Sequence, residues 1–345
     1  MRSSIVVVSY NSRRYLQACL DSILADMTGG DEVIVVDNGS TDGSADIVAE
    51  QYPSVHLIRG ENVGYAGGNN RGAAVARGRH LLFLNPDTII HPGTIEALVA
   101  PLEQPGDVAL TTARIVFMDR PEIVNTCGNT VQFTGLAYCR GAGQPAADYA
   151  QPAEVDAVSG AAFAIRRAVF EELEGFDASF FMYLEDTDLS WRAWLLGYRC
   201  RYVPEAVVEH DYRISYSQSK AFFLERNRHL MLLKNLSRAM YLRMLPGLLL
   251  AELVTWGFFL LKGPRYWSVK PRVLAWLWRN RHTISAPRRA AQQERRMAER
   301  KVLARMAYGL DFRQLANPVL SHVAEAMFNP AFRLAQHFTA APTGS

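Results

Sequence analysis

Cysteine is scarce in this chain of 345 residues, and the four cysteines lie far apart with no C-x-x-C pair among them. That spacing excludes a disulfide scaffold and a zinc knuckle, and it favours reduced thiols in a cytosolic protein. A signal-peptide pattern is also missing, because one arginine precedes Ile5–Val8 and no small-residue cleavage site follows. We expect a buried strand there instead. With 49% hydrophobic and 21% charged residues, the chain is neither disordered nor collagen-like.

Lysine is absent from residues 1–212, and all five lysines come later. Residues 1–212 hold 15 Lys and Arg against 28 Asp and Glu, whereas residues 213–345 hold 22 against 6. This asymmetry predicts two regions with different partners. We expect the acidic region to hold a cation and small charged substrates. A basic region of this kind can meet an anionic surface, and a membrane and nucleic acid are the two candidates considered below.

Short apolar runs alternate with helix-like stretches over the first hundred residues. The predicted strands are Ile5–Val8, Val33–Val36, Val55–Ile58 and Leu81–Leu84. Helices are predicted after a Ser12 cap, over Ser44 to Gln51 and over Asn69 to Arg77. This alternation predicts an open α/β sheet that is mostly parallel, with flanking helices and with ligands beyond the carboxyl ends of its strands.

The pattern changes twice further along the chain. Residues 105–160 are rich in Gly and Pro, which predicts antiparallel strands and a loop over a site. The elements predicted after Gly160 are a strand Ala161–Ile165, helices Arg167–Glu174 and Glu185–Leu196, and strands Tyr198–Val203 and Ala206–Val208. Only helices are predicted from residue 213 onward. We therefore predict an α/β domain over 1–212 and a basic helical region over 213–345.

Two glycine-containing segments are candidate ligand loops. Asp37–Gly43 follows the second strand, and its carboxylate can accept hydrogen bonds from a base or ribose. The same residues also suit a tight turn with a helix cap, and no G-x-G-x-x-G opens the next helix. Gly64–Arg71 is a flexible loop that enters a helix, where backbone amides and Arg71 can receive a phosphate. An ordinary loop with a C-cap glycine fits it equally well.

Acidic residues follow several predicted strands or open a helix. Asp87, after the fourth strand, is either a turn former or an oxygen ligand for a hard cation. Glu185, Asp186 and Asp188 complement a helix N-terminus. The apolar run just before them favours raised pKa values and a general-base role. His210 follows another strand, and alone it fits a structural histidine best.

The order and spacing of these motifs resemble the family 2 glycosyltransferases of the GT-A fold, in particular the bacterial rhamnosyltransferase-like branch. The resemblance covers residues 4 to about 235. Its motifs are Val8-Ser9-Tyr10-Asn11, Val36-Asp37-Asn38-Gly39-Ser40, Asn62-Val63-Gly64, Leu84-Asn85-Pro86-Asp87-Thr88, Ser159-Gly160-Ala161, Glu185-Asp186-Thr187-Asp188-Leu189, Trp191-Arg192, His210 and Glu225-Arg226-Asn227.

The resemblance implies a role for each matching residue. A nucleotide-diphosphate sugar donor would be held by Ser9, Tyr10, Asn11, Asp37, Asn38, Gly67, Asn70, Arg71 and Asn85. Asp87 would bind Mn²⁺ or Mg²⁺ across the donor pyrophosphate, with His210 as a further ligand. Asp186 would be the catalytic base that deprotonates the acceptor hydroxyl, and Glu185 would help to position the acceptor. Asn85 stands where an aspartate is commoner in the broad family. The resemblance implies that this asparagine is characteristic of the rhamnosyltransferase-like branch.

The basic region lies largely outside the resemblance. Its apolar stretch Leu245–Leu261 has 17 residues and a glutamate, so we expect it to be too short and too polar to span a bilayer core of about 30 Å. Three tryptophans stand among Arg265, Lys270, Arg272, Arg279 and Arg281, an interleaving that suits a lipid headgroup interface. A packed helical domain with a solvated basic face and a homo-oligomer interface stay open as alternatives, and nucleic acid is not expected as a partner.

The sequence thus predicts an inverting, metal-dependent glycosyltransferase that acts on a polysaccharide or lipid-linked acceptor. We expect it in the cytoplasm, peripheral on the inner face of the cell membrane. A sugar nucleotidyltransferase is one rival, but that class usually opens with a Gly-rich basic loop where Ser9–Asn11 stands here. A non-catalytic, membrane-bound assembly factor is another, and the presence of both Asp87 and Asp186 counts against it.

Overall fold

The computed structural model describes residues 1–212, 216–282, 284, 295–311 and 318–341. These residues form two compact units. The first unit comprises residues 1–129, 139–193 and 198–212. The second comprises residues 130–138, 194–197 and the described residues after 215.

The first unit alternates strands and helices along most of its length. In chain order the elements of residues 1–212 are β1 (Ser3–Ser9), α1 (Arg13–Asp26), β2 (Asp31–Asp37), α2 (Ser44–Gln51), β3 (His56–Arg59), α3 (Gly64–Val75), β4 (His80–Leu84), β5 (Thr88–Ile90), α4 (Thr94–Glu103), β6 (Val108–Phe117), β7 (Arg120–Thr126), β8 (Asn129–Val131), β9 (Ala137–Cys139), β10 (Ala153–Val155), β11 (Ala162–Arg166), α5 (Arg167–Glu172), α6 (Glu185–Leu195) and β12 (Arg199–His210). Most of β8 and β9 and the end of α6 belong to the second unit. Strands β8 and β9 pair with each other in a separate two-stranded sheet.

The main sheet has the order β10-β12-β6-β11-β4-β1-β2-β3. Strands β4, β1, β2 and β3 are parallel, and β12 runs parallel to β6, while β11 is antiparallel to both β4 and β6. The predicted mostly parallel α/β sheet is confirmed. Because the carboxyl ends of β1, β2, β4 and β12 meet at one edge, the residues that follow these strands are brought together there.

The core lies between this sheet and its helices. All seven residues of β1 are buried, as expected for a strand covered on both faces. Helix α1 packs Leu16, Leu20 and Ile23 into the core that contains Val7 and Val35. These three helix residues recur at intervals of three or four, which places them on one helical face.

Helix α3 corrects the prediction of a flexible loop over Gly64–Arg71. The helix begins at Gly64, five residues before the predicted start at Asn69. A Cβ on Gly68 would lie 2.7 Å from Val8 Cγ1, and one on Gly67 would lie 2.8 Å from Val63 Cγ2. The glycines therefore serve close packing, by Gly68 against β1 and by Gly67 within its own helix, rather than loop flexibility.

Two further local predictions need correction. Residues 198–208 were expected to hold two strands, but β12 is continuous, with a register shift between Val203 and Val207 next to Pro204, which has no N–H to donate to the ladder. Ser12 occupies the N-cap position of α1 without a side-chain cap hydrogen bond. Asp42 Oδ2 instead accepts a bond from the Arg13 N–H at 3.0 Å.

The described residues of the second unit after 215 contain helices and no strand, as predicted. The helices are α7 (Gln218–Asn235), α8 (Arg238–Arg243), α9 (Leu245–Lys262), α10 (Val269–Arg279), α11 (Glu299–Arg305) and α12 (Pro318–Ala340). Helix α9 is long and apolar enough to cross a membrane by length and composition alone, contrary to our expectation from the sequence, and 28% of it is buried. Core helices of soluble proteins can have the same length and composition.

A buried ion network joins α7, α9 and α10. Lys270 Nζ lies 2.7 Å from Glu252 Oε2 and also bonds Glu225, while Arg228 bonds both glutamates. Lys270 is 2% exposed, so its predicted place among headgroup-facing cations is wrong. Glu225, His229 and Glu252 have the spacing of metal ligands, but Arg228 and Lys270 already neutralise the two carboxylates.

Candidate active site

The sheet register brings the nucleotide-loop candidates together. Ser9 pairs with Asp37 at the carboxyl ends of β1 and β2. The backbone N–H of Asn38 donates to the Ser9 carbonyl at 2.8 Å. Asn11, with φ of 52°, accepts a bond from the Thr41 N–H at 2.9 Å and donates its own N–H to Ser40 Oγ. The two predicted loops thus form one hydrogen-bonded surface, beside which Tyr10 is half exposed.

Two buried polar atoms on this surface have no protein partner. They are Ser9 Oγ and Asp37 Oδ1, and their residues are 0% and 5% exposed. The other carboxylate oxygen of Asp37 accepts the Ser40 N–H at 3.2 Å. Because an unsatisfied buried polar group costs about 1–3 kcal/mol, such a pair indicates a place where a ligand supplies the missing hydrogen bonds.

Asn38 ties this surface to the start of α3. Its amide donates to the Gly64 carbonyl at 3.0 Å and to Asn62 Oδ1 at 3.2 Å, and its oxygen accepts the Val63 N–H. The buried side chain is therefore fully engaged with protein. Its role is to hold the two segments in register.

The three predicted donor-binding residues in α3 differ in whether protein contacts already occupy them. Asn70 uses both ends of its amide on the backbone of Phe176, at 2.7 and 2.9 Å. Arg71 donates to the Glu61 carbonyl at 2.9 Å and remains about a third exposed. Gly67 is buried inside the helix. Of the three, Arg71 keeps a charged group that can reach a phosphate.

Asp87 and His210 meet although 123 positions separate them. Strand β5 pairs antiparallel with the end of β12, so that Thr88 lies opposite His210. As a result His210 Nε2 lies 3.4 Å from Asp87 Oδ1. Asn85, on the same turn, accepts the Thr88 hydroxyl on its carbonyl and donates its N–H to Ala161.

The orientation of the His210 ring comes from a residue that the sequence analysis missed. Asn125, at the end of β7, places Oδ1 3.0 Å from His210 Nδ1. This contact fixes the orientation of the ring and turns Nε2 toward Asp87. In metal-binding histidines, a hydrogen bond at the ring nitrogen that does not face the metal fixes the orientation of the ring. The pair fits a divalent cation, because two ligands of one Mn²⁺ or Mg²⁺ ion lie about 3 Å apart.

Asp186, near the start of α6, is held by four protein donors. Oδ2 accepts the Gly160 N–H at 2.7 Å and the Asn129 amide at 3.2 Å. Oδ1 accepts the Thr187 N–H at 2.6 Å and the Thr187 hydroxyl at 3.2 Å. Burial raises the pKa of Asp186, and these four hydrogen bonds oppose the rise by stabilising the carboxylate.

The adjacent Glu185 has a different environment. It is 5% exposed, and its Oε2 has no hydrogen-bond partner. Burial raises the pKa of Glu185 well above its usual range, and the charge of Asp186 raises it further. Burial thus raises the pKa of both neighbouring acids, and hydrogen-bond donors oppose the rise strongly at Asp186.

The segment before α6 contains an unusual backbone. Phe181, Tyr183 and Leu184 have φ values of 65°, 69° and 64°, in the left-handed region that side chains other than glycine rarely adopt. The Phe181 carbonyl accepts the Ala66 N–H at 3.2 Å, and the Tyr65 hydroxyl donates to the Gly160 carbonyl at 2.5 Å. These bonds connect α3 to both sides of Asp186. Backbone strain of this kind, about 1–3 kcal/mol per residue, is concentrated at functional sites.

Comparisons with known proteins identify the class of this domain. The profile of the family described as Glycosyl transferase family 2 matches residues 4–174. The chain carries a family 2 glycosyltransferase domain. It is 29% identical over 235 residues to the N-acetylglucosaminyl-diphospho-decaprenol L-rhamnosyltransferase of Mycobacterium tuberculosis, covering 60% of this chain and 75% of that protein.

Solved structures share the fold of this glycosyltransferase. Staphylococcus aureus TarS 1–349 in complex with UDP-GlcNAc aligns with a TM-score of 0.54 at 19% identity, over 98% of this chain and 91% of TarS. The mannosyltransferase PcManGT from Pyrobaculum calidifontis, in complex with GDP-Man and Mn²⁺, aligns with a TM-score of 0.51 at 18% identity, over 97% of this chain and 86% of PcManGT. The predicted GT-A fold and the glycosyltransferase class are confirmed.

Proposed function

We propose that this glycosyltransferase moves a sugar, rhamnose being the first candidate, from a nucleoside diphosphate to a lipid-linked or polysaccharide acceptor with inversion at the anomeric carbon. The observation that carries the proposal is the meeting of Asp87 and His210 at the sheet edge where Ser9 and Asp37 present unpaired polar atoms. One edge thus offers groups for a nucleoside and for the cation of its diphosphate. The decaprenol-linked acceptor in the name of the mycobacterial relative supports a lipid-linked acceptor.

Asp87 and His210 would hold the divalent cation, which when bound neutralises charge on the departing diphosphate. Ser9 Oγ and Asp37 Oδ1 would hydrogen-bond the nucleoside, and Arg71 would meet a phosphate oxygen. Arg71 would keep this contact as negative charge builds up on the departing diphosphate. It would therefore stabilise the transition state more than the bound nucleotide sugar.

Asp186 would remove the proton from the acceptor hydroxyl. Its two side-chain donors, the Asn129 amide and the Thr187 hydroxyl, are each 3.2 Å away, longer than the two backbone bonds. Rotation of either donor frees a carboxylate lone pair for the hydroxyl without disturbing the backbone bonds. The deprotonated acceptor oxygen would then attack the anomeric carbon on the face opposite the diphosphate. A new glycosidic bond forms as the bond to the diphosphate breaks, and the configuration is inverted.

The functional test is a donor screen. Thermal unfolding of the full chain with Mn²⁺ and each of several nucleotide sugars, including nucleoside-diphosphate rhamnose, UDP-GlcNAc and GDP-mannose, identifies the donor by stabilisation. Transfer to a short prenyl-diphosphate glycan is then followed by NMR of the new anomeric proton. An inverted linkage supports the proposal, and retention of configuration contradicts it. Stabilisation without any turnover would favour the non-catalytic assembly factor.

We further propose that the enzyme works at the cytosolic face of the membrane, where a prenyl-linked acceptor is anchored. The basic composition of residues 213–345 supports this location. Fractionation of cells that express the full chain tests it. The proposal would be contradicted if all of the enzyme were recovered in the soluble fraction after a salt wash and were fully active on an acceptor without a membrane.

A further inference from the structure

Helix α9 presents an apolar stripe to the outside of the second unit. The stripe consists of Leu245, Leu249, Leu253, Trp256 and Leu260, which we call the outer stripe. These side chains are between 37% and 67% exposed. Their spacing of three or four residues places them on one helical face over the length of α9. Contiguous exposed apolar surface of this kind marks a site of protein or membrane interaction.

The opposite face of α9 is fixed inside the unit. Gly247, Leu248, Ala251, Thr255 and Phe259 are buried. Glu252, near the middle of the helix, is bound by Arg228 and Lys270. Rotation of α9 to hide the outer stripe would break this ion network. The exposure of the stripe is therefore a fixed property of the helical packing.

The segment that contains the outer stripe is strongly basic. Residues 216–282 contain 12 Lys and Arg against two acids, Glu225 and Glu252, and both acids are consumed by the buried network. Exposed cations stand beyond both ends of α9: Arg238 on the preceding helix, and Lys262 and Arg265 at the C-terminal end. Trp267, half exposed, donates its indole N–H to the Leu260 carbonyl at 3.3 Å.

We infer that α9 docks in the plane of an anionic lipid surface, with the outer stripe among the acyl chains and Arg238, Lys262 and Arg265 at the headgroups. An amphipathic helix with cations and tryptophan at its borders is suited to this position. The inference rests on the proposed function for its choice of a membrane as partner. It adds the surface of the second unit that would contact the membrane.

Charge and the ion network argue against the other occupants. A second copy of the chain would bring two sets of cations face to face, which opposes association. A membrane-spanning α9 would place Glu225, Glu252, Arg228 and Lys270 near the middle of the bilayer, where charged groups are costly. Docking in the plane leaves the network inside the protein and pairs the outer cations with lipid phosphates.

The test measures sedimentation of the full chain with vesicles of phosphatidylcholine alone or mixed with phosphatidylglycerol, without donor or acceptor. We expect binding to the mixed vesicles only, and release when salt is added afterwards, because screening weakens the attraction. Leu249→Gln with Leu253→Gln should weaken binding about tenfold or more. Lys262→Gln with Arg265→Gln should also weaken it, by about fivefold for each cation.

Matched controls are available in the first unit. Val75→Gln changes an exposed apolar residue and matches the outer-stripe variant. Arg79→Gln with Arg120→Gln removes two exposed cations and matches the variant of Lys262 and Arg265. Neither control should change vesicle binding. Circular dichroism and donor hydrolysis verify that each variant is folded. Absence of vesicle binding, equal binding by the outer-stripe variant, or binding that salt does not reverse would each overturn the inference. These readouts do not depend on transfer activity, so failure of the inference and failure of the proposed function are separate results.

Discussion

The Gly160 N–H donates a hydrogen bond of 2.7 Å to Asp186 Oδ2. The carbonyl of the same Gly160 accepts the hydroxyl of Tyr65, which belongs to the first turn of α3. A Cβ on Gly160 would lie 3.2 Å from Asp186 Oδ2, so the bond depends on a residue without a side chain. The position of the proposed base is therefore coupled through two hydrogen bonds to the helix that carries Arg71.

The first prediction concerns Asp186→Asn. The substitution keeps the shape of the side chain and removes its proton affinity, so turnover should fall by about 10²–10⁴ while affinity for the nucleoside diphosphate is kept. An amide NH₂ must also face one pair of the four donors, which should lower the free energy of unfolding by about 1–3 kcal/mol. Steady-state kinetics, calorimetry with the diphosphate and thermal unfolding measure the three effects.

Glu185→Gln is the matched control for this experiment. Burial raises the pKa of Glu185 and so favours its neutral form, which glutamine imitates. Turnover should therefore fall much less than in Asp186→Asn. A larger fall in turnover for Glu185→Gln than for Asp186→Asn would assign the base to Glu185.

The second prediction is the pH dependence of stability. Because the pKa of Glu185 is raised by folding, the unfolded chain loses this proton first as pH rises. At Glu185 the folded state then binds more protons than the unfolded state, so the contribution of Glu185 to stability falls as pH rises above about 4.5. Glu185→Gln should unfold at a higher temperature than wild type at pH 7, and this advantage should disappear below pH 4.5. An unchanged difference across this range would contradict the raised pKa.

Site residues that belong to short sequence motifs could be predicted from the sequence, whereas residues placed by long-range strand pairing could not. Asp37, Asp87, Asp186 and His210 follow strands or open a helix within short motifs, and the parallel sheet gathers such positions at one edge. Asn125 lies in the Gly- and Pro-rich stretch, where no pattern places it. Its contact with His210 depends on the pairing of β7 with β6 and of β6 with β12, which is long-range information.

The third prediction concerns Asn125. Asn125→Ala removes the side chain that holds the His210 ring at Nδ1, so the ring is free to turn away from Asp87. Affinity for Mn²⁺ in the presence of nucleoside diphosphate should fall about 10–100-fold. His210→Ala should reduce it by a similar or larger factor, and Asp87→Ala should abolish it. Calorimetry with and without metal measures this, and equal affinity in Asn125→Ala would contradict a positioning role.

The glycines of α3 show where composition alone misleads. A run with Gly64, Gly67, Gly68 and Gly72 predicts a loop when only intrinsic helix propensity is considered. The helix forms because it packs directly on β1, which a side chain at Gly68 would prevent. This tertiary packing outweighs the propensity cost, and no local sequence pattern reveals it.

The fourth prediction tests this close approach. Gly68→Ala places a Cβ 2.7 Å from Val8 Cγ1, so α3 must move away from the sheet, at a cost of about 1–3 kcal/mol in unfolding free energy. Gly29→Ala is the control, because a Cβ there meets nothing within 4 Å. It should leave stability unchanged or slightly raised. Chemical denaturation compares the two, and equal midpoints would contradict the packing argument.

The fifth prediction separates Lys270 from the exposed cations near it. Lys270→Met leaves the buried Glu225 and the partly exposed Glu252 with one partner fewer and should lower the free energy of unfolding by about 3–5 kcal/mol. Arg272→Met, two residues later and exposed, should cost less than about 1 kcal/mol.

The same variant has a pH signature. The neighbouring Arg228 and Lys270 and the His229 hydrogen bond lower the pKa of Glu252 to about 2, so the stabilisation is present above about pH 4.5 and is lost as pH falls toward 2. The gap between wild type and Lys270→Met should therefore be largest at neutral pH and should narrow in acid. Urea denaturation at several pH values measures the gap. A loss of lipid binding by Lys270→Met with unchanged stability would instead place Lys270 at the surface, as the sequence alone predicted.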